Sequence, residues 1–263
     1  MIDIHSHILP GVDDGAKTLE EAISMIKVAQ ENGIKSIFAT PHYIEHEGYK
    51  DANENIEIFN LLNTTLKKEK INVDIYSGQE IFITPELINL VEEKKVSTLN
   101  NSRYVLIELP MYDIPRFDEN LIYSLRLKGY VPIIAHPERN RKIVDDPNIL
   151  YNFIKLGALA QLNLSSLGGY YGEAIKNTAK ILVEHNMIHF VGSDAHSLDP
   201  RPMRIKKLLN ILVDIIGSKR VNELIDCNPQ AIIKNVYLDV RNAKQYQEIS
   251  KMRRFYNLLV PGN

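Results

Sequence analysis

Residues 1–15, Met1-Ile2-Asp3-Ile4-His5-Ser6-His7-Ile8-Leu9-Pro10-Gly11-Val12-Asp13-Asp14-Gly15, decide how the rest of the chain is read. Side chains two apart on an extended strand share a face, so the imidazoles of His5 and His7 aim at one spot, where a metal ion can bridge them. Two surface histidines on one strand face give the same pattern, and the spacing alone does not choose. The Asp13-Asp14-Gly15 turn brings carboxylates back beside the rings and favours the metal reading.

Outward from that strand the chain alternates strands and helices. Thr18-Leu19-Glu20-Glu21 has the spacing of a capping box, and Leu19, Ile23, Ile26 and Ala29 recur at helical intervals until Gly33. A strand over 35–39 runs into Thr40-Pro41-His42, and a polar loop through Gly48 leads to a helix carrying Ile56, Phe59, Leu62 and Leu66. A third strand, 73–77, ends at Gly78-Gln79-Glu80, and Thr84-Pro85-Glu86 reads as the next helix start. Strands over 104–107 and 130–135 end in Glu108 and His136. The strand over 158–164 runs into Ser165-Ser166-Leu167-Gly168-Gly169, a loop able to approach an anion, and 188–191 ends in Gly192-Ser193-Asp194-Ala195-His196. Further helices are expected from about Asp118 to Gly129, from Asp146-Pro147 to Gly157, up to about Asn186, and from Asn228-Pro229.

About seven strand-then-helix units predict an α/β fold with parallel strands and helices outside, a (β/α) barrel that is distorted or incomplete. A doubly wound open sheet is the alternative. The barrel is favoured because titratable residues terminate strand after strand, and a barrel mouth gathers such residues from all sides, whereas an open sheet collects them from two neighbouring strands.

Those terminal residues are His5 and His7 with Asp14 behind them, then His42, Glu80, Glu108, His136, Asp194 and His196. Imidazoles and carboxylates without a thiolate suit two or three divalent ions of the Mn, Fe or Zn type, and the carboxylates favour manganese. Glu80 is placed to bridge two ions about 3.5–4 Å apart, which lower the pKa of a bridging water to about 7 for metal-assisted hydrolysis. Arg139, three residues after His136, and Arg201, five after His196, are candidate partners for a phosphate, whose oxygens a guanidinium fork matches. Arg141 is a weaker candidate. His46, His185 and His189 fall outside the constellation as surface or strand-edge residues.

With 263 residues, 44% of them hydrophobic, the chain can bury a large core as one domain spanning 1–263. A formal charge of -2 and the lack of a basic-aromatic stripe argue against nucleic acid as a partner. The chain lacks an apolar run of about 18 residues and a signal-type start, so a cytoplasmic location is expected, with membrane contact only through a partner. The single cysteine, Cys227, is expected to fill core space. A cysteine-dependent phosphatase needs an arginine six residues on, where this chain has Ile233, so that mechanism is excluded.

The strings HSHILPGVDDG, ATPHY, IELP, AHPERNR, LNLSSLGGYYG and GSDAHSLDPRP resemble the PHP-type (polymerase and histidinol phosphatase) protein tyrosine phosphatases of Gram-positive capsule and exopolysaccharide loci, from Met1 to about Pro202. The resemblance implies a distorted (β/α)7 barrel with three metals, usually manganese, that hydrolyses phosphotyrosine on a cognate tyrosine autokinase with a tyrosine-rich tail. It implies one metal on His5, His7, Glu80 and Asp194, a second on Glu80, Glu108 and His136, and a third on Asp14, His42 and His196. Arg139 and Arg201 are implied to hold the phosphate. Sequence alone does not separate Asp13 from Asp14; the resemblance aligns Asp14. The same ligands would serve a small-molecule phosphatase such as one acting on histidinol phosphate, or a PHP or TatD-like exonuclease, and a non-catalytic barrel is a third reading.

Overall fold

Strand β1 (Ile2–Ser6) is buried along its whole length, as a parallel strand covered on both faces must be. Helix α1 (Leu19–Glu31) follows, with Thr18 Oγ1 accepting from the Glu21 amide at 3.2 Å. The Glu21 carboxylate accepts from Lys17 N (2.9 Å) instead of Thr18 N, so the expected capping box is displaced by one residue. Then come β2 (Ser36–Ala39), β3 (His42–Tyr43) and α2 (Ala52–Lys68), which opens on a complete capping box between Asp51 and Glu54. Leu62 and Leu66 of α2 are buried as expected, but Ile56 is 47% exposed.

Next are β4 (Asp74–Ser77), β5 (Glu80–Phe82) and α3 (Leu87–Glu92). Helix α3 starts later than Thr84-Pro85 suggests and has no side-chain cap at its first residue; Thr84 Oγ1 donates to Glu45 Oε2 at 2.9 Å and accepts from Glu86 N at 3.4 Å. The remaining elements are β6 (Tyr104–Glu108), α4 (Asp118–Leu127), β7 (Val131–Ala135), α5 (Arg141–Asp145), α6 (Asn148–Lys155), β8 (Leu159–Asn163), α7 (Leu164–Leu167), α8 (Glu173–Glu184), β9 (Phe190–Gly192), α9 (Lys206–Asn222) and α10 (Asn228–Ile233). This computed structural model describes residues 1–199 and 203–247.

All strand pairs are parallel, in the orders β1-β2-β4 and β3-β5-β6-β7-β8-β9. The two sheets are one wall. The chain passes from β2 to β3 through Thr40-Pro41 and from β4 to β5 through Gly78-Gln79, so each pair is one strand position with a local break. Strands β1 and β9 share no regular ladder, yet Asp194 N donates to His5 O and His7 N to Ala195 O, both at 2.9 Å, with a parallel bridge at Ser6 and Ala195. Buried Asp3 adds a clip, its Oδ1 accepting from Ser193 N at 2.9 Å. The result is a distorted (β/α)7 barrel.

Inside the wall, Ile2, Ile4, Phe38, Tyr104, Leu106, Ile133 and Phe190 pack together below the mouth. Outside it, Ile37, Val105, Ile107, Ile134, Leu162 and Val191 pack under the helices. Ile4 lies in the inner cluster although His5, the next residue, also reaches the inward-facing site. The reason is a bulge. Asp3 pairs with Ile37 and Ser6 with Ala39, three steps on β1 against two on β2, which reverses the alternation and re-aims His5 and His7.

Candidate metal centre

The ends of β1, β3, β5, β6 and β7 and the segment after β9 bring their polar residues to one place. Glu80, fully buried, is its midpoint: Oε1 lies 2.8 Å from His136 Nε2, and Oε2 lies 3.1 Å from His5 Nε2, 3.4 Å from His7 Nε2 and 3.0 Å from His42 Nδ1. Despite these distances, neither Glu80 Oε2 nor His42 Nδ1 has a partner in hydrogen-bond geometry. His136 Nε2 and Glu80 Oε1 do bond, as do the Nε2 atoms of His5 and His7 at 3.2 Å, so the cation cradle is marked by the two atoms left over, which are costly to bury unpaired.

Three sets of ligand atoms lie close enough to share an ion: His5, His7 and Glu80; His42, Glu80 and Glu108; and His7, Asp14, His42 and His196. Asp194 Oδ1 adjoins the first set, 3.6 Å from His5 Nε2 and 3.3 Å from His7 Nε2. His136 Nε2 adjoins the second, 3.8 Å from Glu108 Oε1. Asp14 Oδ1 stands 3.2 Å from His196 Nε2 and 3.6 Å from His42 Nε2.

Behind this layer, carbonyl and carboxylate oxygens fix the rings. His5 Nδ1 donates to Gln161 Oε1 (2.9 Å), His7 Nδ1 to Asp13 Oδ2 (2.7 Å) and His196 Nδ1 to the Asp194 carbonyl (2.9 Å), which leaves each Nε2 aimed inward. Asp13 also accepts from His42 N and Gly15 N, at 3.0 and 2.9 Å. The adjacent acids therefore sit in different places: Asp13 backs His7, and Asp14 faces His42 and His196.

Two glycines make room for this packing. A Cβ on Gly15 would collide with the His7 carbonyl oxygen, and one on Gly192 would fall 2.8 Å from His5 Cβ. His136 and Asp194 carry their side chains on left-handed backbone, φ 29° and 50°, sparsely populated for such residues and found at functional sites.

Burial opposes charge throughout the cluster, and the pairing overrides it unevenly. His5 is raised to about 9 because Glu80 and Asp194 outweigh its desolvation, and Asp13 is held at about 2 by His7 despite burial. Burial and the neighbouring Glu80 carboxylate push Glu108 up to about 7. Protons and cations compete for these lone pairs, so ligation would release protons.

Arg139 Nη1 donates to Asp194 Oδ2 at 2.9 Å, and its guanidinium carbon stands 4.7 Å from the centre of the Tyr171 ring, a cation–π stack. Its buried Nε has no partner. Arg201 lies outside the described residues, as does the basic segment Lys251-Met252-Arg253-Arg254. Arg141 points away, paired with Asp145 at 3.2 Å.

Several residues that spacing does not single out complete the centre. Gln161 Nε2 donates to Asn163 Oδ1 (2.9 Å), Asn163 Nδ2 to Asp194 Oδ2 (2.7 Å), and Glu138 Oε1 accepts from Asn163 N (3.0 Å) and the Ser166 hydroxyl (2.7 Å). The signal for them was the polar pair Gln161 and Asn163 at alternate positions of an otherwise apolar strand. In the Ser165–Gly169 stretch Ser166 donates to Glu138, and Gly168 packs where a Cβ would lie 2.7 Å from Leu208. Among the other histidines, His46 is exposed, but His189 is buried rather than at the surface, its Nδ1 accepting from Ala160 N at 3.1 Å. Cys227 is exposed, not core, at the end of the helical segment Glu223–Cys227 that runs into α10. Among the described residues no helix is long and apolar enough to cross a membrane.

The chain is 41% identical over 236 residues to tyrosine-protein phosphatase YwqE of Bacillus subtilis, covering 89% of this chain and 92% of that one. It is 32% identical over 245 residues to tyrosine-protein phosphatase CpsB of Streptococcus agalactiae, covering 90% and 100%. A solved chain from a study of YwqE from Bacillus subtilis and CpsB from Streptococcus pneumoniae, there called unique metal-dependent tyrosine phosphatases, superposes with TM-score 0.90 at 38% identity, covering 94% of this chain and all of that one. The lactonase Lmo2620 of Listeria monocytogenes, with TM-score 0.54 and 14% identity over 87% of this chain and 92% of its own, shares the fold alone. Residues 1–234 match the family model for capsular polysaccharide synthesis proteins CpsB/CapC, and the chain belongs to that family.

Proposed function

We propose that this chain is a metal-dependent protein tyrosine phosphatase that acts on a cognate bacterial tyrosine autokinase and so regulates capsular or exopolysaccharide synthesis, with manganese as its metal. The observation that carries the reading is Glu80 Oε2, buried among three imidazole nitrogens at 3.0–3.4 Å without a hydrogen-bond partner. The names of the relatives support the tyrosine phosphatase activity. The nitrogen and carboxylate donors, with no thiolate among them, fit manganese, with iron or zinc as substitutes.

In this reading His5, His7, Glu80 and Asp194 hold one ion; Glu80, Glu108 and His136 a second; and Asp14, His42 and His196 a third. Bound ions supply Lewis acidity toward phosphoryl oxygens and a water of lowered pKa for hydrolysis. The chain's own part is positional. Gln161, Asp13 and the Asp194 carbonyl keep the imidazole lone pairs pointed inward. Arg139, held by Asp194 and Tyr171 at the mouth, presents a guanidinium edge to phosphate oxygens and stabilises the charge that builds there in the transition state. Arg201 is assigned the same ligand.

The test is phosphate release by purified protein, stripped with chelator and reloaded with manganese, from a phosphotyrosine peptide, histidinol phosphate and single-stranded DNA in parallel. Manganese-dependent release from the peptide is expected. Preference for histidinol phosphate would make the chain a small-molecule phosphatase, and cleavage of DNA would make it a nuclease; either overturns the assignment.

A further inference from the structure

Just outside the mouth, between the ends of β8 and β9 and the start of α9, lies a cavity of about 360 Å³ lined by Leu164, Tyr170, Ser193, Arg204, Lys207 and Leu208 among others. We propose that it is a subsite for the substrate polypeptide that takes an apolar residue and an adjacent acidic residue flanking the phosphotyrosine; this rests on the phosphatase reading above.

Continuity with the centre is the first support. Leu164 follows Asn163, which holds Asp194; Ser193 precedes Asp194; and Tyr170 precedes Tyr171, which stacks on Arg139. These shared neighbours put the cavity beside the metal centre, on the same rim. The two tyrosine rings meet edge to face at 5.0 Å, so one short loop serves both sides.

Chemistry is the second support. The floor is apolar, from Leu164 and Leu208, and it exists because Gly168 has no side chain: a Cβ there would lie 2.7 Å from Leu208 Cδ2. Tyr170, 51% exposed, offers a free ring edge to an apolar side chain. Arg204 and Lys207 are both exposed at the opening and have no acidic partner among the described ion pairs. A cationic lip over an apolar floor selects an acidic residue beside an apolar one. An extended chain advances about 3.3 Å per residue, so residues a few positions from the phosphotyrosine span the short way along the rim to the cavity.

The experiment compares kcat/KM for three phosphotyrosine peptides, carrying Leu-Glu, Leu-Lys or Gly-Gln a few residues from the phosphotyrosine, with that for p-nitrophenyl phosphate, which cannot reach the cavity. Wild-type protein is expected to prefer the Leu-Glu peptide over the Leu-Lys peptide by about tenfold at low salt, and that preference is expected to shrink toward unity in about 0.5 M salt. In the Arg204→Glu/Lys207→Glu double variant the ratio of Leu-Glu peptide to p-nitrophenyl phosphate should fall about tenfold. Equal rates for the three peptides in wild-type protein, or equal losses on peptide and p-nitrophenyl phosphate in the variant, would overturn the subsite while leaving the phosphatase in place. No release from any aryl phosphate by the manganese-loaded wild type would remove the phosphatase reading, and the subsite with it.

Discussion

At the C-terminal ends of the strands, five histidines and four carboxylates crowd together, and Glu80 Oε2 and His42 Nδ1 are left without hydrogen-bond partners. At the opposite end of the barrel, His189 sits equally buried at the start of β9, but its surroundings are closed by ordinary bonds. Ala160 N donates to its Nδ1 (3.1 Å), Asn228 to its carbonyl (2.7 Å), and Arg220 caps the Ile188 carbonyl (3.1 Å) while pairing with Glu223 (2.7 Å). The Nε2 of His189 itself is left without a hydrogen-bond partner. One end spends its polar groups on holding the fold, whereas the other holds them open toward a shared centre. The division follows the general rule that the strands' C-terminal face of such a barrel carries chemistry and the other face stability.

The sharpest way to break this comparison is Glu80→Ala. Because Glu80 belongs to two of the three ligand sets, metal content should fall by more than one ion and phosphatase activity by about 10³-fold or more; retention of full metal by elemental analysis would show that the cluster is structural. Arg139→Ala comes next. It should keep the metal content of wild type and lower kcat by about 10²- to 10³-fold, the cost of one preorganised charge donor, and an unchanged kcat would remove Arg139 from the reaction.

Asp13→Asn sharpens the comparison by touching only the support behind His7. Metal affinity should weaken about 10- to 100-fold, read by titration of the stripped protein with manganese, with far-ultraviolet circular dichroism unchanged. A folded variant with wild-type affinity would assign Asp13 a structural part alone.

The smallest effect belongs to His189. Burial, with Arg220 nearby, lowers its pKa to about 3, against about 6.5 in the unfolded chain. Between those values the unfolded state binds a proton that the folded state refuses, so stability is complete above about pH 6.5 and is lost as pH falls, by up to about 1.4 kcal/mol per pH unit. Urea unfolding of the metal-stripped protein at several pH values should give a shallower decline for His189→Gln than for wild type. Identical slopes would mean that the far end of the barrel is not closed to protons.

Much of this was legible beforehand because strand ends in a parallel barrel are written in the sequence as apolar runs that stop at polar residues. His5, His7, Glu80, Glu108, His136, Asp194 and His196 all stand at such stops, and local patterning is enough to find them. The supporting residues were less legible. Gln161, Asn163 and Glu138 act through partners more than twenty residues away or through backbone amides, and no spacing rule announces such pairings. His189 and Cys227 were misplaced because burial depends on which side of a strand or turn faces another element.

The sequence by itself determined the order of elements, the parallel barrel and the residue types at its mouth, since these follow from period, caps and composition. The tertiary structure decided where they aim. The bulge between Asp3 and Ser6 turns His5 and His7 inward, left-handed backbone at His136 and Asp194 turns those side chains into the same space, and the Asp13–His7 hydrogen bond separates two acids that are adjacent in the chain. Each is a matter of a single residue's register or dihedral angle, fixed by packing against strands far away in sequence, and local pattern carries no record of it.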